Sequence, residues 1–261
     1  MDPLVFTLLL AAAAMHAGWN ALVKARLEPL VAMALLVACC GAIALPLLAA
    51  FGLPPVATFP YVAGSVALHL LYYLALAAAY RRGDMSQVYP IARGGAPLFT
   101  ALATVLLLRH PISPHALAGV FVLGGGVILM ALHRRRGSGR PDLEALGFAL
   151  LTGAVIASYT VVDGTGARRA GDASAYAAFL FVVDAFPLPL LVLWWRGAAA
   201  FRPARSYLRQ SAIGGAMSLG AYWIAIWAMT VAPIAIVAAL RETSVLISAA
   251  IATIVLRERF V

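Results

Sequence analysis

Apolar residues run along this chain in long blocks, and most polar positions fall between them. Each of nine blocks is near the roughly 20 residues that an α-helix needs to cross a hydrocarbon core. They are residues 4–23, 29–52, 60–80, 86–108, 114–132, 144–162, 174–195, 208–230 and 233–256. Strands of a membrane barrel alternate apolar and polar residues over about ten positions. The blocks here are continuous and about twice that length, so the pattern predicts helices whose backbone groups bond to one another inside lipid. The longest polar stretch, His133 to Glu144, divides the chain near its middle. Residues 1–132 and 144–261 thus read as two membrane units joined by a basic connection over 133–143. The start, Met1-Asp2-Pro3, lacks a basic leader and its block lacks a small-x-small cleavage site, so it predicts a retained first helix.

Composition supports an all-α polytopic membrane protein. The 261 residues are 64% hydrophobic and 11% charged. A soluble domain is about half apolar and about a quarter charged. The net charge of +9 would suit nucleic acid, but the basic residues sit in short clusters between apolar blocks, where no aromatic-interleaved basic arm exists. Connections after odd-numbered blocks, with the tail, hold 14 basic residues, and those after even-numbered blocks hold three, Arg109, Arg168 and Arg169. The positive-inside rule then places the odd connections in the cytoplasm and the N-terminus outside. Short loops fit a bacterial inner (plasma) membrane. Cys39 and Cys40 are adjacent, which disfavours a mutual disulfide. No Cys/His spacing suggests a metal, and no Walker motif suggests an ATPase. The sequence therefore implies no cofactor.

The chain also repeats itself. Aligning Arg93 with Arg241 pairs RGGAPLFTALATVLLLR with RETSVLISAAIATIVLR, identical at five of 17 positions including both end arginines. Arginines inside a span are rare, which gives the match weight. Gly64 to Ala79 pairs with Gly214 to Met229, matching Gly64 with Gly214, Tyr72 with Tyr222, Ala75 with Ala225 and Ala78 with Ala228, while Tyr73 meets Trp223. Blocks three and four thus correspond to blocks eight and nine, an offset of five. A five-helix unit in tandem has inverted topology, an arrangement typical of secondary transporters with a site near the midplane. Two such units need ten helices, so a tenth is expected after Phe260-Val261, where this sequence stops.

Several strings resemble the EamA family of the drug/metabolite transporter superfamily. They are MHAGWNALVK from Met15 to Lys24, YPIARGGAPL from Tyr89 to Leu98, ALRETSVL from Ala239 to Leu246 and LRERF from Leu256 to Phe260. The resemblance covers essentially the whole chain and rests on the order of these strings together with the repeat. It implies a ten-helix inverted-repeat fold and export of small metabolites by alternating access.

The polar residues inside the blocks are the candidate chemistry, because they normally face the bundle interior or water. His16, Asn20 and Lys24 form one stripe on the first helix, with Trp19 beside it. Arg93, with Tyr89 at i−4, is costly at that depth and suits a carboxylate ligand. Its structural alternative is a partner such as Asp184. Arg241 shares a face with Ser244 and Ser248. Glu242 suits either proton coupling or pairing with an arginine such as Arg93. Asp184, followed by Pro187 and Pro189, marks an expected kink and a second candidate for proton coupling, with His16 a third. Asp163 reads as interfacial. His69, Tyr72, Tyr73 and Tyr80 on the third helix, and Tyr222, Trp223 and Trp227 on the eighth, read as a pocket wall or as packing, and Tyr159 joins the candidate substrate contacts.

The leading expectation is a secondary transporter, not an enzyme, moving a small metabolite such as an amino acid. Contacts are expected from helices one, three, four, six, eight and nine. The partners implied are a small-molecule substrate, the lipid bilayer and, as an open assembly state, a second copy in a homodimer. A membrane-embedded lipid enzyme would want clustered carboxylates or a histidine pair at helix ends, and a receptor would want a soluble domain. Neither pattern is present.

Overall fold

The computed structural model describes residues 1–23, 28–82, 85–109, 112–133 and 143–254. Lys24, most of the basic connection over 133–143 and the arginines of the C-terminal tail lie outside the described residues, as do the side chains of Tyr80 and Tyr89. Among the described residues the fold is all helical. The α-helices are α1 (Pro3–Val23), α2 (Pro29–Phe51), α3 (Phe59–Arg82), α4 (Met85–Leu106), α5 (Pro114–His133), α6 (Leu143–Ala170), α7 (Ala173–Asp184), α8 (Pro187–Arg196), α9 (Leu208–Val231) and α10 (Ile234–Ile254).

Local chemistry sets many of the ends. Proline opens α1, α2, α5 and α8, where its missing N–H costs no helical bond. Carboxylates cap the first turns: Asp2 accepts from the Leu4 N–H at 2.7 Å, Glu28 from Val31 at 3.2 Å and Asp172 from Ser174 at 2.7 Å. Gly52, Gly171 and Gly197 follow helix ends with φ of 78°, 75° and 72°, a region that side chains with a Cβ avoid.

Six helical segments are long and apolar enough to cross a membrane: Pro3–Asn20, Pro29–Phe51, Val56–Ala79, Leu143–Ala170, Ala173–Arg196 and Leu208–Val231. Outward faces carry large apolar side chains in the open, among them Val122 at 76% and Trp194 at 82% exposure. A surface of this kind is compatible with lipid rather than water, and the protein is an integral membrane protein. α4 and α10 carry Arg93, Arg241 and Glu242, which lower their average apolarity.

Two sequence boundaries move. The seventh block is two helices, α7 and α8, broken at Ala185 and Phe186. Pro187 and Pro189 have no N–H for the carbonyls of Val183 and Ala185, so the helical ladder stops just after Asp184. α6 does not stop at 162; it runs on to Ala170 and carries Arg168 and Arg169 in its last turn rather than in a connection. Arg168 reaches α9, donating to the carbonyl of Met229 at 2.7 Å and to that of Ala232 at 2.9 Å. α4, by contrast, stays helical through Pro90 and Pro97.

Packing is reciprocal between the two parts of the chain. α3 and α4 lie against α6, while α9 and α10 lie against α1; α2 packs on α9, and α7 packs on α3. Small residues permit the closest approaches. A Cβ on Gly124 would meet the Gly94 carbonyl oxygen at 2.8 Å, and one on Gly94 would meet the Gly124 carbonyl oxygen at 2.9 Å, so α4 and α5 touch backbone to backbone.

Candidate functional site

Between these helices lies a cavity that gives about 80 Å³ to the centres of water-sized molecules. One water needs roughly 10–15 Å³ of such space, so the cavity has room for several. Its wall takes His16 and Trp19 from α1, Met33, Leu36, Val37 and Cys40 from α2, and His69, Tyr72 and Tyr73 from α3. Arg93 of α4, Tyr159 of α6, Leu180, Phe181 and Asp184 of α7, Ser218 and Tyr222 of α9, and Arg241 of α10 complete it. The expected helices all contribute, and α2 and α7 join them.

The aromatic part of the wall is built around His69. Its ring centroid is 4.3 Å from that of Tyr159 and 5.9 Å from that of Tyr222. Tyr72 and Tyr159 meet edge to face at 6.1 Å, as do Tyr159 and Tyr222. Such edge-to-face contacts suit the ring quadrupoles and hold the rings in fixed orientations.

Two carboxylates border this cluster. Asp184 ends α7, where Oδ2 accepts from the Tyr73 hydroxyl at 3.3 Å and Oδ1 lies 3.7 Å from His69 Nδ1. His69 Nδ1 is in turn 3.5 Å from Ser65 Oγ. Asp163 is fully buried in α6, accepting from the Tyr176 hydroxyl at 3.0 Å and from the Tyr222 hydroxyl. The interfacial reading of Asp163 is therefore corrected. Because α6 continues two turns past it, its side chain lies inside the bundle.

The cations are arranged differently from one another. Arg93 is 2% exposed; its Nε lies 2.8 Å from Glu242 Oε2, and its guanidinium donates to Ser244 Oγ at 3.3 Å. Of the two partners weighed for Arg93, Glu242 holds it, and Asp184 is engaged elsewhere. Arg241 instead places its guanidinium carbon over the Tyr222 ring, 4.6 Å from the centroid.

Not every sequence candidate reaches the cavity. Asn20 donates to the His16 carbonyl of its own helix at 2.8 Å and is absent from the wall. Short polar side chains in a helix have this local acceptor four residues back, and here it wins. Trp223 turns away, donating to Ser174 Oγ at 3.3 Å and packing on Phe51. Consecutive helical residues point about 100° apart, so Tyr222 faces in and Trp223 does not. Trp19 and His16 do reach the wall, and the Trp19 indole donates to His16 Nδ1 at 3.3 Å. His69, read only as part of a pocket wall or packing face, is central.

No family model and no curated protein matches the chain. A solved protein structure superposes on 97% of this chain and 87% of its own length with a TM-score of 0.75, at 17% identity. At that identity the likeness is one of fold alone.

Proposed function

We propose that the protein is a secondary transporter for a small organic solute, working by alternating access around the central cavity. The observation that carries this reading is the cavity itself. It is a small amphipathic chamber inside an apolar helical bundle, walled by helices from both parts of the chain and holding charged side chains. Charged groups within spanning segments are costly, and they mark solute or ion pathways.

The reciprocal packing, α3 and α4 on α6 against α9 and α10 on α1, supports an inverted repeat in which blocks one to four correspond to blocks six to nine. On this reading all nine blocks span the membrane, α7 and α8 sharing one span, with the N-terminus outside. The fold resembles that expected of the EamA family, and export from a bacterial cytoplasm is the direction we favour. Asp184, next to His69 and at a helix break, is the group we favour for proton coupling, because Glu242 is held by Arg93.

The test is solute counterflow in proteoliposomes loaded with a panel of amino acids and other small metabolites. Saturable exchange is expected for the protein, and Tyr159→Trp, which fills the chamber, should abolish it without loss of folding. Absence of exchange across the panel, from protein shown to be folded and inserted, would count against transport.

A further inference from the structure

Two arginines line the cavity, and among the described residues only Arg93 is in ion-pair contact with an acid. Arg93 is held by Glu242 and Ser244. Arg241 is 9% exposed; Asp163 and Glu242 are near enough to feel its charge, yet among the described residues no carboxylate oxygen is in ion-pair contact with it and no oxygen accepts a hydrogen bond from it. Asp184, the carboxylate on the cavity wall, is occupied by Tyr73 and His69. Asp163 is occupied by Tyr176 and Tyr222.

The contact that Arg241 does make gives its donors no oxygen to bond. A guanidinium carries five N–H donors in its own plane. The ring face of Tyr222 meets the charge without offering an oxygen acceptor to any of them. Tyr222 is itself fixed, because its hydroxyl donates to buried Asp163. The acid at the far end of the phenol enriches the ring in electron density, which strengthens its hold on the cation. Donors left unanswered in a confined site are costly, and a planar fork of donors matches the two oxygens of a carboxylate.

The rest of the wall says what the carboxylate is attached to. Trp19, Leu36, Val37, Tyr159, Leu180 and Phe181 surround the same space, and they offer an apolar surface that a small inorganic anion would leave unfilled. We propose that Arg241 is the anion subsite of the cavity and that its ligand is a small organic carboxylate. Tyr222 is the positioning residue that presents the guanidinium edge to it. The proposal rests on the transporter reading for the assignment of this cavity as the ligand site.

The test measures binding to the purified full-length chain by thermal stabilisation and by competition. Benzoate is set against benzamide, pentanoate against pentanamide, and inorganic phosphate is a separate arm. The carboxylates are expected to bind roughly tenfold or more tightly than their amides, as a charge-assisted pair dictates, and more tightly than phosphate. Arg241→Gln should erase that preference, and Arg241→Lys, which keeps charge but not the fork, should reduce it. The lysine variant also covers the case in which the glutamine variant does not fold. Tyr222→Phe should narrow the preference for carboxylate over amide. No preference in the native chain, a preference undiminished in the Arg241 variants, or phosphate binding as tightly as benzoate would overturn the proposal. Carboxylate preference without any flux in liposomes would sink transport but not the subsite. Flux of neutral or cationic solutes that ignores Arg241→Gln would sink the subsite but not transport.

Discussion

Arg93 on α4 and Glu242 on α10 form an ion pair of 2.8 Å, each side chain nearly sealed from solvent. The pair joins two helices from opposite parts of the chain. Within an apolar bundle, removing one member leaves the other charge without compensation.

Replacing either member alone is therefore expected to be severe. Arg93→Met or Glu242→Leu should each destabilise the folded protein by about 3–5 kcal/mol, whereas the double variant should recover most of that loss. Thermal unfolding in detergent across the double-mutant cycle measures this coupling. Additive losses would show that the pair is not a unit.

Asp163 depends on two phenols, Tyr176 and Tyr222. Tyr176→Phe is expected to cost about 1–3 kcal/mol, the penalty for an acceptor left short of a donor. Asp163→Asn should be milder, since an amide needs less compensation than a carboxylate. The ranking from melting temperatures is the check, and an inert Tyr176→Phe would contradict it.

Proton coupling, if Asp184 carries it, separates two kinds of flux. Asp184→Asn is expected to abolish accumulation driven by an imposed pH gradient while solute exchange at equal pH survives. Loss of both in a folded variant would assign Asp184 to the solute instead, and retention of both would remove it from the mechanism.

The two faces of the Gly124-Gly125 pair offer a packing test. Gly124→Ala places a methyl against the Gly94 carbonyl, a clash expected to cost about 1–3 kcal/mol. A Cβ at Gly125 meets nothing within 4 Å, so Gly125→Ala should be neutral or slightly stabilising. Equal effects in melting experiments would contradict the close α4–α5 contact.

The blocks were readable because spanning helices must be long and apolar, and the break after Asp184 was readable because proline withholds a donor. Rotation about each helix axis was harder to read. α1 and α9 are apolar nearly all round, so nothing in the sequence said that His16 would face the cavity and Asn20 its own backbone, or that Tyr222 and Trp223 would part company. Asp163 was misjudged because Arg168 and Arg169 resembled the start of a connection. Arg168 is tolerated in a helix because it spends its donors on the exposed carbonyl end of α9, a long-range partner with no local signature.

The distance in sequence between the partners of Arg93 also shapes how the chain is made. Ser244, which shares this arginine with Glu242, lies 151 residues downstream. At roughly 5–20 residues per second, synthesis leaves Arg93 waiting about seven to thirty seconds before Glu242 exists. During that interval the carboxylate that faces Arg93 in the folded bundle has not yet been made. The Arg93–Glu242 pair therefore closes late in synthesis, and only a chain that has reached α10 can supply the carboxylate that faces this arginine in the folded bundle.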